Sequence, residues 1–124
     1  MALENDLRHI DELIAQGKLD AALPAADSLL RAHPRSAEAH VRIGRIHLFR
    51  KASGKALESA QKAYELDRSL ALAVAFLGQV YVELNLPEYA LPLLQEAVTR
   101  HPGDQGLNFA LGRCFMVMEK GYKA

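Results

Sequence analysis

Apolar and polar residues recur along this chain with the spacing of amphipathic α-helices. In the first segment, Leu7, Ile10 and Ile14 are three and four residues apart. Short clusters of glycine, proline and small polar residues separate the apolar stretches, as they commonly do between helices. The pattern predicts seven helices and no strand: about 3–16, about 19–32, one that begins after Ser36, about 55–67, about 70–84, one that begins at Pro87, and about 105–119.

Residues at the predicted helix boundaries are of the types that start or stop helices. Ser36, Ser69 and Asp104 are placed to accept hydrogen bonds as N-caps. Gly17 ends the first helix, and Ser53-Gly54 separates the third helix from the fourth. Because the connections are only a few residues long, we expect consecutive helices to be antiparallel neighbours.

A longer period is superimposed on the helical one. An aliphatic residue and a glycine, followed three positions later by an aromatic residue or histidine, recur every 34 residues. The copies are Ile43-Gly44 with His47, Leu77-Gly78 with Tyr81, and Leu111-Gly112 with Phe115. A ladder of alanines has the same spacing: Ala22, Ala56, Ala90 and Ala124. A repeat of this length is typical of a helix pair that buries its apolar face only against neighbouring pairs.

One unit, 71–104, resembles the tetratricopeptide repeat (TPR) family closely. It carries Leu77-Gly78, Tyr81, Ala90 and Pro102 in the family's pattern, with Val74 in place of the usual tryptophan. The resemblance extends over nearly the whole chain, as repeats at about 3–36, 37–70, 71–104 and a partial repeat at 105–124. It implies a single array over 1–124, with an all-α fold: a right-handed superhelical solenoid of antiparallel helix pairs.

The repeated glycines need a physical reason, because each of Gly44, Gly78 and Gly112 lies inside a predicted helix. A glycine there costs up to about 1 kcal/mol relative to alanine. Close approach of the partner helix, against Ala56 and Ala90, explains the repeated choice. On this account Gly78→Leu destabilises the fold by about 1–3 kcal/mol through overpacking, while Gly78→Ala is nearly harmless.

Composition narrows the classes of function. The formal net charge is zero and the pI is about 7.0, so no global charge attracts nucleic acid or an anionic membrane. The first residues are acidic and lack the apolar run of a signal peptide or membrane span. With a single cysteine, Cys114, no internal disulfide can form. A cytoplasmic protein that acts without nucleic acid or membrane is the simplest expectation.

The sequence contains no constellation of residues that indicates catalysis, a cofactor or a metal site. No glycine-rich phosphate loop follows a strand, and Cys114 lies in the most apolar helix, where a buried packing role is expected. His40 and His47 are seven residues apart, two helical turns along one face. Zinc usually takes three or four ligands, and both histidines occupy positions where the repeat places packing residues.

In proteins that resemble this repeat, the first helix of each pair lines a concave groove. The same placement here implies a non-catalytic protein–protein interaction module that binds a peptide or helix. Its groove would be lined by Arg42, Arg45, Phe49, Phe76, Gln79, Val82, Phe109, Arg113 and Met116. Aromatic and arginine side chains are typical binding anchors, and the arginines favour an acidic ligand. The alternative is that several of these residues only pack adjacent first helices together.

One TPR subfamily holds the terminal carboxylate of chaperone tails with lysine, asparagine and arginine from three groove helices. In one register, the matching positions are Leu7, Asp11, Arg42, Leu72 and Phe76. One repeat later they are Val41, Arg45, Phe76, Gly106 and Ala110. Neither set supplies the clamp, so we do not expect a chaperone tail as the ligand.

The predicted seventh helix is apolar around most of its circumference, whereas solenoid ends normally carry a polar cap. We therefore expect its free face to be covered, either by a second copy in a symmetric dimer or by chain beyond Ala124. This leaves an alternative function open: a structural segment of a longer solenoid, or a self-associating TPR element. A third interpretation, a regulatory module of a larger enzyme, also leaves this chain non-catalytic.

Overall fold

The computed structural model describes residues 2–120, which form seven α-helices and no strand. Their bounds are α1 Ala2–Ala15, α2 Leu19–Ala32, α3 Ala37–Phe49, α4 Ser53–Leu66, α5 Ala71–Glu83, α6 Pro87–Arg100 and α7 Gln105–Glu119. The number of helices and the all-α class are those predicted from the sequence. Within the described residues, no helix is both long enough and apolar enough to cross a membrane.

The turns that follow the odd-numbered helices share one backbone geometry. Gly17, Lys51 and Asn85, spaced by the repeat, all have positive φ, at 75°, 65° and 63°. In each turn the next residue's N–H donates to a carbonyl five residues back, as in Ala52 to His47 at 2.8 Å. This is a Schellman C-cap. The prediction that Ser53-Gly54 breaks the chain was wrong, because the left-handed residue is Lys51 and α4 already begins at Ser53.

The turns that follow the even-numbered helices also repeat, but their caps differ. The side chains of Ser36 and Asp104 accept from the backbone N–H three residues later, at 3.1 and 2.9 Å, as predicted. The equivalent N-cap of α5 is Leu70, which has no capping group. The prediction that Ser69 is this cap was wrong; its hydroxyl donates to Asp67 at 2.8 Å instead. Asp67 thus holds the turn together without capping the helix.

The helices form two rows. Each odd-numbered helix packs on the next odd one, and each even-numbered helix packs on its neighbours in sequence. Within residues 2–120, no two even-numbered helices bring Cα atoms within 8 Å of each other. The odd row is therefore the continuous layer of the array, and its outward surface is where one ligand can touch several repeats.

Small residues let the two rows approach closely. Ala22, Ala56 and Ala90 are fully buried, whereas Ala124, the fourth member of the ladder, lies outside the described residues. A Cβ added at Gly78 would lie 2.7 Å from Leu94 of α6, and one at Gly44 would collide with the ring of Phe76. The predicted close approach of the partner helix is present at Gly78, where the neighbour is Leu94 rather than a ladder alanine, and at Gly44, where Ser59 of α4 lies 3.2 Å from the added Cβ. The prediction was wrong for Gly112, which has nothing within 4 Å.

Candidate functional site

A cleft of about 390 Å³ opens on the odd row, between α3, α5 and α7. Its floor is mainly apolar, and polar groups stand at its edges. The lining residues are Arg45, Leu72, Ala75, Phe76, Gln79, Asp104, Gly106, Phe109 and Ala110. A cavity of this size with an apolar floor and a few polar groups is typical of a ligand site.

Two arginines of α3 and one carboxylate of α1 form a charged cluster beside the cleft. Arg42 binds Asp11 through two hydrogen bonds, Nε to Oδ1 at 3.0 Å and Nη2 to Oδ2 at 2.8 Å. Arg45 reaches the same carboxylate only at 3.7 Å. The side chain of Arg42 is 12% exposed and that of Arg45 is 37% exposed. Arg42 is thus occupied within the array, and Arg45 faces the cleft.

The electrostatic surroundings of Arg45 favour an additional anion. Burial, and next repulsion from Arg42, lower the pKa of the Arg45 guanidinium, and Asp11 only partly opposes this. An arginine remains protonated despite such a shift. Because two positive groups share one negative group, the cluster carries a net positive charge. A carboxylate placed against Arg45 would complete the balance.

The opposite edge of the cleft is the start of α7. Asp104 caps this helix and faces the cleft. Gly106 also lines the cleft, and a Cβ added to it would have Asp104 and Ala75 as its neighbours within 4 Å. Phe109, one turn on, is 66% exposed. Gln79 of α5 supplies an amide between the two edges. The cleft therefore has a cationic edge on α3, and its edge at the start of α7 is formed by the carboxylate of Asp104 and the ring of Phe109.

The structure brings together only some of the residues that the sequence assigned to a groove. Arg45, Gln79 and Phe109 line the cleft. Phe76 forms part of its floor but is 2% exposed, and Val82 is 5% exposed in the core against α6 and α7. The assignment of Val82 as a groove residue is therefore wrong, because its side chain fills the space between helices. Phe76 contributes to the floor of the cleft, but almost all of its side chain is buried.

The remaining predicted groove residues lie away from the cleft. Phe49, at the end of α3, is 60% exposed, and Met116 on α7 is 54% exposed. Arg113 of α7 is paired with Glu83 of α5 at 2.9 Å. This ion pair ties two odd helices together, as Asp11 and Arg42 do for α1 and α3.

The sequence did not assign Asp104 to the groove, and it gave Gly106 and Ala110 only as positions that match the carboxylate clamp of the chaperone-binding subfamily. Asp104 was identified only as a cap, and nothing in its local pattern shows that the first turn of α7 borders α5. The signal that would have found these residues is the repeat itself: Ala110 is equivalent to Phe76, one period earlier.

Cys114 and His40, the other residues considered for chemistry, make contacts within the fold. Cys114 is fully buried, its Sγ donates to the carbonyl of Pro87 at 3.4 Å, and burial raises the pKa of the thiol. His40 Nε2 contacts the carbonyl of Pro34 at 3.2 Å. Within the described part of the chain, no group of three or more histidine, cysteine, aspartate or glutamate residues is placed to hold a metal ion.

The two rows and the cleft on the odd row define a helical-repeat protein of the interaction class. The family model of the tetratricopeptide repeat matches residues 7–71, just over half of the chain. The chain therefore belongs to the tetratricopeptide repeat family, which is generally a non-catalytic interaction fold. No curated protein matches this sequence significantly.

Solved structures share the fold. TTC0263, a TPR protein of Thermus thermophilus, is 24% identical, with a TM-score of 0.85 over 94% of this chain and 66% of its own. YrrB, described as a TPR protein with an unusual peptide-binding site, is 26% identical, with a TM-score of 0.72 over 94% of this chain and 59% of its own. The first TPR of Spaghetti (RPAP3), bound to the HSP90 peptide SRMEEVD, is 17% identical, with a TM-score of 0.82 and coverage of 94% and 95%. This chain thus spans less than two thirds of the length of the first two.

Proposed function

We propose that this chain is a non-catalytic protein-interaction module that binds a peptide segment in the cleft between α3, α5 and α7. The observation that carries the proposal is the cleft itself, with Arg45 at one edge and Phe109 at the other. The descriptions of YrrB and of the RPAP3 domain, both of which name peptides, support the class of ligand.

The ligand that fits this cleft has an acidic residue next to an apolar one. Arg45 stands beside a cluster in which two guanidinium groups share the single carboxylate of Asp11. The acidic side chain pairs with Arg45, and the apolar side chain covers Leu72 and Ala75, which are partly exposed on the floor. A charge-assisted hydrogen bond at the edge of an apolar floor gives both direction and affinity.

The cleft lacks the clamp that holds the terminal carboxylate of a chaperone tail. At the positions that hold the carboxylate clamp in that subfamily, Val41 is 0% exposed and Phe76 is 2% exposed. Neither can present a donor to a terminal carboxylate. The RPAP3 domain is similar to this chain at 17% identity, which shows a common fold and does not transfer its HSP90 ligand.

Selection from a displayed library of random twelve-residue peptides tests the proposal. We expect the enriched peptides to combine Asp or Glu with a neighbouring apolar residue. Arg45→Glu should then reverse the charge preference, so that Lys or Arg replaces the acidic residue. Lys62→Glu makes the same change of charge on the exposed surface of α4, outside the cleft; it should leave the selection unchanged.

The proposal fails if no peptide is enriched, or if Arg45→Glu and Lys62→Glu select the same peptides as the unmodified chain. The dependence of peptide affinity on salt concentration is a second measurement. Added salt should weaken binding, because it screens the part of the attraction that is Coulomb interaction. Binding that is indifferent to salt and to Arg45→Glu would remove the acidic residue from the account and leave an apolar site alone.

A second role, self-association, is favoured by a separate observation. α7 exposes Phe109 at 66%, Phe115 at 47% and Met116 at 54%. Such an apolar patch at the end of a solenoid is typical of an interaction surface. This role is compatible with peptide binding, because the patch begins at the edge of the cleft.

A further inference from the structure

The exposed face of α7 corresponds to a face that is covered in the preceding repeat. Gly112 has open space around it, whereas the Cβ of a residue at the equivalent Gly78 would meet Leu94. Met116 is 54% exposed, whereas Val82, one period earlier, is 5% exposed. The same repeat position is therefore core in α5 and surface in α7. The free face of α7, defined here as Phe109, Gly112 and Met116, has the shape of a helix-docking surface.

The outward side of α1, at the opposite end of the array, is unsuited to pack against the free face of α7 of another copy. The outward side of α1 is polar and exposed, with Asn5, Arg8, Glu12 and Gln16 along it. Head-to-tail stacking would bury the charges of Arg8 and Glu12 against Phe109 and Met116, and unpaired buried charges are costly. A second copy that docks α7 against α7 buries apolar surface on both sides instead.

The spacing along α7 suits such a pairing. Gly112 lets two helices cross closely, because it has no side chain at the contact. Phe109 is three residues before Gly112, and Met116 is four residues after it. Around a two-fold axis beside Gly112, with the helices antiparallel, Phe109 of each copy meets Met116 of the other. The patch is therefore self-complementary.

Phe109 also lines the cleft, so the two surfaces are continuous. We propose that a second copy docks through the free face of α7 and completes the peptide cleft, its Met116 forming a wall beside Phe109. The proposal deepens the proposed function and rests on it for the role of the cleft. Phe109 belongs to both surfaces, so the partner's Met116 would extend the apolar edge of the cleft at this ring.

The size of the patch predicts a weak dimer. A fully buried Phe contributes about 150–250 Å². The exposed parts of Phe109 and Met116 therefore supply roughly 200 Å² per copy on this scale, compared with about 800 Å² per partner in a standard interface. The dimer should form at high protein concentration and be strengthened by a peptide that touches both copies, because binding and association are then linked.

Disulfide trapping tests the docking without any peptide. Gly112→Cys, in a Cys114→Ser background, places one thiol at the two-fold axis, where the Cα atoms of two copies can come within the roughly 7 Å that a disulfide allows. We expect rapid covalent dimers on mild oxidation. Glu12→Cys in the same background, on the polar face of α1, is the matched control and should react about ten times more slowly or less, because only random collisions bring two such thiols together.

Tryptophan fluorescence tests whether the second copy reaches the cleft. The chain contains no tryptophan, so Phe109→Trp adds a single reporter at the cleft edge. In the Gly112→Cys, Cys114→Ser background, oxidation should shift its emission to the blue, and a reducing agent should reverse the shift. Phe49→Trp, at an exposed position of α3, should show no shift.

Equal trapping rates for the cysteines at positions 112 and 12, or preferential disulfides between these positions in a mixture, would overturn the α7 docking. Trapping without a shift at the position 109 reporter would overturn the completion of the cleft. Neither measurement uses a peptide, so a failed peptide selection counts against the proposed function alone.

Discussion

α5 and α7 carry the same sequence pattern and meet different surroundings. Leu77-Gly78 with Tyr81 lies between two neighbouring helices of the odd row and against α6. Leu111-Gly112 with Phe115 lies at the end of the row, where Gly112 has nothing within 4 Å and Phe115 is 47% exposed. The contribution of this motif to the stability of the fold thus depends on which neighbouring helices pack against it.

The largest expected difference between the two helices concerns their glycines. Gly78→Leu forces a side chain into the space that Leu94 fills, and we expect a loss of about 3 kcal/mol in the free energy of unfolding. Gly112→Leu points into open space, gains helix propensity, and should leave the stability of the isolated chain within about 1 kcal/mol. Denaturant unfolding followed by circular dichroism measures both.

Alanine at the same positions sharpens this test. A Cβ at Gly78 would lie 2.7 to 2.9 Å from three atoms of the buried Leu94 side chain. Gly78→Ala should therefore be destabilising, and the expectation from sequence that it is nearly harmless is replaced. Gly112→Ala should stabilise by up to about 1 kcal/mol. Equal midpoints for the two alanine variants would show that the surroundings of the glycine do not matter.

The next effect concerns Arg42, which is equivalent to Phe76 in α5 and Ala110 in α7. Arg42→Gln removes the two hydrogen bonds to Asp11 and leaves that carboxylate beside α3. We expect a loss of about 2 kcal/mol, the usual range for a hydrogen bond to a charged group. Arg45→Gln should change stability by less and weaken peptide binding. Similar losses of stability in both variants would contradict the separate roles of the two arginines.

A smaller effect is expected at the turn after α3. Lys51 has a φ of 65°, close to the 75° of Gly17 and the 63° of Asn85, its equivalents. A side chain with a Cβ is strained in this region, by about 1–2 kcal/mol for a residue that does not tolerate it. Lys51→Gly should therefore stabilise the chain by about 1 kcal/mol. A destabilised variant in thermal unfolding would show that the lysine side chain makes a contact that outweighs the strain.

The smallest effect is a pH dependence at His47, the equivalent of Tyr81 and Phe115. Burial, and next the charge of Lys55, lower the pKa of His47 below 6.5. The unfolded chain then binds more protons than the folded chain, so stability is full above pH 6.5 and falls as the pH drops through that value. His47→Phe should reduce this fall between about pH 7.5 and 5.5, the range in which a histidine titrates. An identical slope for the variant and the unmodified chain would exclude His47 as its source.

Periodicity predicts most of this fold because helix pairs, turns and the alanine ladder are each fixed by local pattern. Which large side chain fills the space above a repeated glycine is not local. Leu94 does so for Gly78, while its equivalent in the preceding repeat is Ala60, and there Phe76 fills the space above Gly44. The large side chain that fills this space thus belongs to the even row at Gly78 and to the odd row at Gly44. A single sequence does not show which row supplies it.

The site was less predictable for the same reason. The positions that face the groove in a regular repeat include Phe76 and Val82, yet both are buried here. Arg42 and Arg45 look alike in sequence, and only the position of Asp11 on α1 separates the structural arginine from the one that faces the cleft. Contacts across repeats therefore decide which groove positions remain available to a ligand.

The most direct test of the peptide cleft is a titration of the isotopically labelled chain with the most enriched peptide, followed by the backbone amide resonances. We expect the largest shifts at Arg45, Gln79 and Gly106, which lie on the three helices that border the cleft. Small shifts are expected on the outward faces of α2 and α4. Shifts confined to those even-numbered helices, with Arg45, Gln79 and Gly106 unchanged, would contradict a ligand site on the odd row.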